Sequence, residues 1–318
     1  MRHPYWTLVT LWLLCLPLRG QTSPSATLQD ALVLQNRGSF ATAAKVAQAA
    51  IDSRQLSGNE LGRGYIILAV ACQGAGALAN AQIAFEHALQ ILEPDRGHPE
   101  DYASALENYA GFYSEMGQLD VAAPMWQKAF QLRQRMGDHT GTTVCLTRLA
   151  ELALGQNQVR KAHQYLQRAS NEAKASTRLS DDDKGLLLET QGWLALAEHH
   201  ALPAVAAYQQ ALELVERSRG RQHWLAGWDH MLLGRADAGS GDLRSALANM
   251  QTGLTILDQA LGQKNPKYSA AELAYSRVLD QCGLHVEAAQ VRAASEKASK
   301  DYYGGQCAGC TMSVAAFR

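Results

Sequence analysis

Aromatic residues make up only 7% of this 318-residue chain, although hydrophobic residues reach 47%. The apolar content is therefore mostly Ala and Leu, strong helix formers and poor strand formers, which disfavours a sheet-rich fold and predicts an all-α one. An excess of charge of either sign is missing too. A formal net charge of -1 leaves no basic surplus to neutralise phosphates, which argues against nucleic acid and anionic membranes as general partners. The chain has no G-x-S-x-G, no phosphate loop and no H-E-x-x-H, so no reaction and no cofactor can be argued from its motifs. Its ten histidines lack a carboxylate cluster of ligand spacing: His199-His200 reads as a turn, and His223 and His230 flank Trp224, Trp228 and a single Asp229. No metal is expected.

The N-terminus reads as a targeting segment. Arg2 and His3 precede an apolar run from Leu8 to Leu18, shorter than the roughly 20 residues of a membrane-spanning helix but suited to a signal-peptide core. Residues 1–20 are expected to be a signal peptide, cleaved after Gly20, and the protein exported to the periplasm or outside the cell. Trp12, Leu13 and Leu14 before Cys15 do not make a lipoprotein signal. A membrane contact is expected only if this segment stays uncleaved.

Self-comparison of the chain reveals a repeat. An alanine followed four residues later by a bulky residue and seven later by a small one recurs as Ala81, Phe85, Ala88, then as Ala122, Trp126, Ala129. Ala162, Leu166, Ala169 and Ala204, Tyr208, Ala211 follow the same rule. Ala43, Ala47, Ala50 and Ala246, Met250, Gly253 are weaker copies, and Ala288, Arg292, Ser295 is degenerate. Successive first alanines are 38, 41, 40, 42, 42 and 42 residues apart, too regular for chance and too long for a heptad. Offsets of four and seven share one helical face, which defines a helix B. Five residues before each alanine sits a turn-former: Gly38, Gly76, Gly117, Asn157, His199, Gly241 and Gly283. Stretches such as Tyr102 to Met116 and Leu186 to Glu198 supply a helix A, with Ala69, Ala110, Ala150, Gly192 and Gly234 as close-packing points. The chain is thus expected to form seven helix-turn-helix units over residues 27–300, followed by a tail, 301–318. The degenerate last unit fits a polar capping helix.

These residues resemble the tetratricopeptide repeat, whose unit carries Gly or Ala, then Ala, an aromatic and Ala at this spacing. The longer period is similar to the repeat of kinesin light chains and their bacterial relatives. Residues 98–136 match that pattern best: His98-Pro99 opens the unit, Asn108, Ala110 and Tyr113 lie on helix A, Gly117 turns the chain, and Ala122, Pro124, Trp126 and Ala129 follow on helix B. The resemblance implies a right-handed superhelical solenoid that binds a protein or peptide along a concave groove lined by helix A. Projecting the register onto that groove gives Arg63, Glu107, Asn108, Arg148, Glu151, Glu189, Trp193, Trp228, Met231, Arg235 and Arg277 as ligand contacts. Asn108 falls where related repeats place an asparagine that can hold a peptide backbone, or else it caps or bridges helices. Arg148, Arg235 and Arg277 form either a basic strip for carboxylates or ordinary solvated surface. Trp193 and Trp228 read as binding anchors or as core.

Five cysteines follow the signal segment. Cys72, Cys145 and Cys282 fall at apolar helix A positions of different units and read as buried free thiols. Cys307 and Cys310, between Gly304-Gly305 and the tail Thr311 to Arg318, read as a local disulfide, because a redox pair normally opens a helix after a strand and no second pair completes a zinc site. The leading reading is an exported, non-enzymatic interaction scaffold. A structural envelope assembly factor and a thiol-active protein using Cys307 and Cys310 are the alternatives.

Overall fold

The computed structural model describes residues 23–93 and 98–303. The signal segment, Cys307, Cys310 and the rest of the tail lie outside the described residues. Helices account for the described chain in seven antiparallel pairs: α1 (Pro24–Asn36) with α2 (Phe40–Asp52), α3 (Gly58–Gly74) with α4 (Leu78–Ile91), α5 (Pro99–Glu115) with α6 (Leu119–Arg135), and α7 (His139–Gly155) with α8 (Val159–Ala175). The remaining pairs are α9 (Asp181–Ala197) with α10 (Ala201–Arg219), α11 (Trp224–Ser240) with α12 (Leu243–Leu261), and α13 (Pro266–Gln281) with α14 (His285–Tyr303). Odd-numbered helices are the A helices, even-numbered ones the B helices. Half of them span 17 residues, about 25 Å each at 1.5 Å per residue, and this length explains the long period.

Every A–B turn has the same backbone. Gly38, Gly76, Gly117, Asn157, His199, Gly241 and Gly283 all take positive φ, between 58° and 89°. After each, an N–H reaches back five residues to the last turn of helix A, as in Gln118 N to Tyr113 O (2.9 Å) and His200 N to Ala195 O (2.7 Å). This left-handed cap satisfies carbonyls that the helix end would otherwise leave bare. Between units, Gly220 and Gly262 end α10 and α12 at φ 92° and 79°, and three residues on, His223 and Asn265 cap α11 and α13 through their own side chains.

The helix B triads are core. Phe85, Trp126, Leu166, Tyr208 and Met250 are each at most 4% exposed, and the alanines flanking them are fully buried. Opposite them sit the small residues of helix A. A Cβ on Gly192 would come 2.8 Å from the Tyr208 ring, and one on Gly234 would come 2.6 Å from Met250 Cγ. In the last unit Arg292 replaces the bulky residue and pairs with Asp280, whereas Ser295 stays buried and donates to Ser269 O (2.6 Å). Successive A helices pack on one another (α1–α3, α3–α5, α7–α9, α9–α11, α11–α13), and no comparable contact joins successive B helices among the described residues. The side on which helices converge is the inner wall of a superhelix, so the A helices form the concave face.

That superhelix curls until repeats distant in sequence meet. His223 Nε2 lies 3.2 Å from Asn36 O of the first repeat, and Lys267 Nζ lies 3.0 Å from Glu115 Oε1 of the third. Gln73 Nε2 holds the other Glu115 oxygen at 2.8 Å, and Lys267 also sits 5.3 Å over the Trp224 ring. Burial works against the Glu115 charge, but Lys267 and Gln73 keep its carboxyl below the usual range.

Candidate functional site

One position of helix A, the residue after the packing point, is occupied in turn by Leu32, Val70, Gly111, Glu151, Trp193, Arg235 and Arg277. None of the seven is buried, although each stands one residue from a side chain that is. This column is the inner wall: apolar or small in the first three repeats, charged or aromatic in the last four. The expected groove residues Glu151, Trp193, Arg235 and Arg277 are stacked along it.

Arg148 stands a turn below Glu151 and donates to its Oε2 (2.8 Å). Glu151 Oε1 lies 3.2 Å from the Thr190 hydroxyl of the next repeat. Arg148 is therefore engaged within α7 rather than offered as part of a three-arginine strip, which reduces the strip to Arg235 and Arg277. Asn108 is half-buried, and its Nδ2 donates to Ser104 O of its own helix (2.8 Å). Trp193 and Trp228 are half-buried and rest against the hydrophobic core. Arg63 is exposed and reaches Asp101 of the following repeat at 2.8 Å.

Two projected groove contacts are corrected. Met231 is fully buried, packed in the core against Gly253 of α12. Glu107 is one partner of an interhelical ion network: Arg133 Nε and Nη2 reach its two oxygens at 2.7 and 3.0 Å, and Arg133 also holds Ser104 and Asp138. The cysteine expectation divides as well. Cys72 and Cys145 are buried free thiols, pushed up by burial, with Cys145 Sγ 3.4 Å from Glu107. Cys282 is half-buried and sits at the cap of α13 rather than within it.

Three groups acquire their roles only in the fold. Lys267 and Glu115 meet across 152 positions of sequence, a separation no local pattern reveals. The third is Asp229, which is 1% exposed and faces Glu189 of α9. Its signal was present: the equivalent residues of the other repeats are Ala26, Gly64, Ala105, Cys145, Leu187 and Ala271. His98, Glu100 and Asp101 place ligand atoms within 4.8 Å of one another. However, Asp101 is taken by Arg63 and Asn59, and His98 and Glu100 pair at 3.4 Å, so the group stabilises the start of α5. No helix among the described residues is long and apolar enough to cross a membrane.

A tetratricopeptide repeat family model matches residues 101–174, which are the helices α5 to α8. Together with the fourteen helices of the described residues this defines the class: an all-α superhelical solenoid of tetratricopeptide-like repeats, in which α5 to α8 match the family model itself. A Rap protein solved in complex with competence and sporulation factor is similar over 88% of this chain and 77% of its own, at 11% identity and TM-score 0.64. The Cut9-Hcn1 hetero-tetramer of APC/C is similar over 92% of this chain and 50% of that one, at 15% identity and TM-score 0.60. BtubC (BKLC) from P. vanneervenii covers 74% of this chain and 91% of itself, at 16% identity and TM-score 0.49. The first two likenesses, at this identity, show the fold alone. No curated protein matches the chain in sequence. Repeats of this type generally mediate protein–protein interaction.

Proposed function

We propose that this chain is an exported, non-enzymatic scaffold that holds a peptide or an extended protein segment against the concave wall of its last four repeats. The observation that carries the reading is the accessible column Glu151, Trp193, Arg235 and Arg277, which sets charged and aromatic side chains on four successive A helices. An extended segment needs this arrangement: regularly spaced polar contacts on rigid elements, with an amphipathic anchor among them. One structural neighbour is described in complex with competence and sporulation factor and another as part of an APC/C assembly, which fits a peptide or protein partner. Export rests on the N-terminal pattern of Arg2 and His3 before the apolar run Leu8 to Leu18.

Selection of a displayed random-peptide library on the whole chain tests the reading. The expected result is enrichment of peptides whose affinity falls at least tenfold on Arg235→Ala, a loss of about 1.4 kcal/mol, with the helical content of the variant unchanged. Enriched peptides that bind Arg235→Ala as well as the parent, or no enrichment at all, would sink it.

A further inference from the structure

Asp229 stands in a column that is otherwise small or apolar, and it is 1% exposed. A buried carboxylate without a donor is among the most costly groups a fold can hold. With both carboxyls ionised, neither Asp229 oxygen has a hydrogen-bond partner; a single proton between Glu189 and Asp229 supplies one.

Two further orphans belong to the same two repeats. The Tyr208 ring comes through the gap left by Gly192 from helix B toward the concave side, and its hydroxyl, on a side chain with no exposed surface, has no partner. Arg235 Nη1 is likewise buried and unpartnered. Burial above all, and then the charges of Arg235, Glu189, Asp229 and Glu151, act on the Tyr208 hydroxyl. Buried side-chain polar atoms are normally satisfied. Among the described residues, every one that is not belongs to Tyr208, Asp229 or Arg235.

The local charge is negative. Arg148 and Glu151 of α7 neutralise each other. The α8 side offers Ser170, which accepts from Gln191. On α11, Arg235 lies six residues beyond Asp229, about 9 Å along the axis, and so forms a separate cationic end. Glu189, half-buried on the inner wall, is the part of the carboxyl pair that a ligand reaches.

We propose that Glu189, backed by Asp229 and flanked by the Tyr208 hydroxyl, is the subsite that receives a cationic group of the ligand, an ammonium or a guanidinium. This rests on the concave-wall reading and names the chemistry of its occupant. Glu189 touches the ligand; Asp229 acts through it as a positioning residue. When the cation arrives, the shared proton leaves to solvent and both carboxylates stay ionised. Burial, reinforced by Glu151 and opposed by Arg148, raises Glu189 to about 7, and burial with Glu189 raises Asp229 well above its ordinary value. Proton and cation therefore compete, and affinity falls by up to about tenfold per pH unit as pH drops below about 7.

Titration calorimetry on the whole chain, in buffers of different ionisation enthalpy at pH 6.5 and 8, tests the subsite. The probes are N-acetylated pentalysine amide, pentaserine with a free N-terminus, and N-acetylated pentaserine amide. Binding of the first only assigns the site to a basic side chain, and binding of the second assigns it to a peptide N-terminus. In either case binding should be tighter at pH 8 and release up to one proton at pH 6.5. Glu189→Gln should lower affinity at least tenfold, Asp229→Asn should keep binding but move the pH step downward, and Glu287→Gln on the exposed face of α14 should change nothing. The proposal is overturned if neither cationic probe binds, if Glu189→Gln binds like the parent, if no proton is released, or if the neutral probe binds equally. Should the subsite fail while library-selected peptides still depend on Arg235, the groove reading stands alone; should both fail, the groove reading falls too.

Discussion

Two of the seven A–B turns put a side chain where the other five have glycine. Asn157 at φ 58° suits the left-handed region better than most residues, but His199 at φ 62° carries a full Cβ there. His199→Gly is expected to stabilise the protein by about 1 kcal/mol, the relief of that strain less the extra freedom a glycine gives the unfolded chain. Thermal denaturation followed by circular dichroism checks this; an unchanged or lower midpoint would mean that the imidazole makes a compensating contact. The turn positions themselves were legible from spacing, since a left-handed cap is a local requirement of a helix end. Asp229 was visible as an odd member of its column, but its burial was not, because that depends on how closely α9 and α11 approach.

At the scale of elements, the helices begin earlier than their apolar patterns suggest. The stretch Leu186 to Glu198 marked helix A of the fifth repeat, yet α9 starts at Asp181. Its first turn is polar and stabilised by its cap: the Ser180 hydroxyl accepts from Asp183 N and the Asp183 carboxylate accepts from Ser180 N. The run Asp181-Asp182-Asp183 offsets the helix dipole and also pairs outward, Asp181 with Arg217 at 2.8 Å and Asp182 with Arg219. Ser180→Ala removes the reciprocal cap and should cost about 1 kcal/mol. Hydrogen exchange is the sensitive readout, with lost protection concentrated in the first turn of α9; loss spread evenly over the chain would contradict a local role for this cap.

At the scale of the molecule, closure of the superhelix depends on a few contacts between repeats distant in sequence. The Lys267–Glu115 pair is partly exposed, 25% and 42% by side chain, so it contributes about 1 kcal/mol at most and can bias the curl without being required for folding. Lys267→Glu should therefore leave helical content unchanged and increase the radius of gyration measured by small-angle X-ray scattering. The double exchange Lys267→Glu with Glu115→Lys should restore it. An identical scattering profile for the single variant would show that the contact between the first and sixth repeats, at Asn36 and His223, holds the curl without this pair.

The seven units, their A and B helices, their turns and the faces that pack within each unit are all legible in the order of residues. All of these follow from 3.6-residue periodicity and turn chemistry, which act between neighbours in the chain. The tertiary structure decided which inner-wall residues remain available. It closed Met231 into the core, committed Glu107 to Arg133 and Arg148 to Glu151, brought Lys267 onto Glu115, and set Asp229 against Glu189. The physical reason is that burial and charge pairing in a solenoid are settled by the distance between successive A helices and by the accumulated curl over many repeats, and neither quantity is written within one repeat.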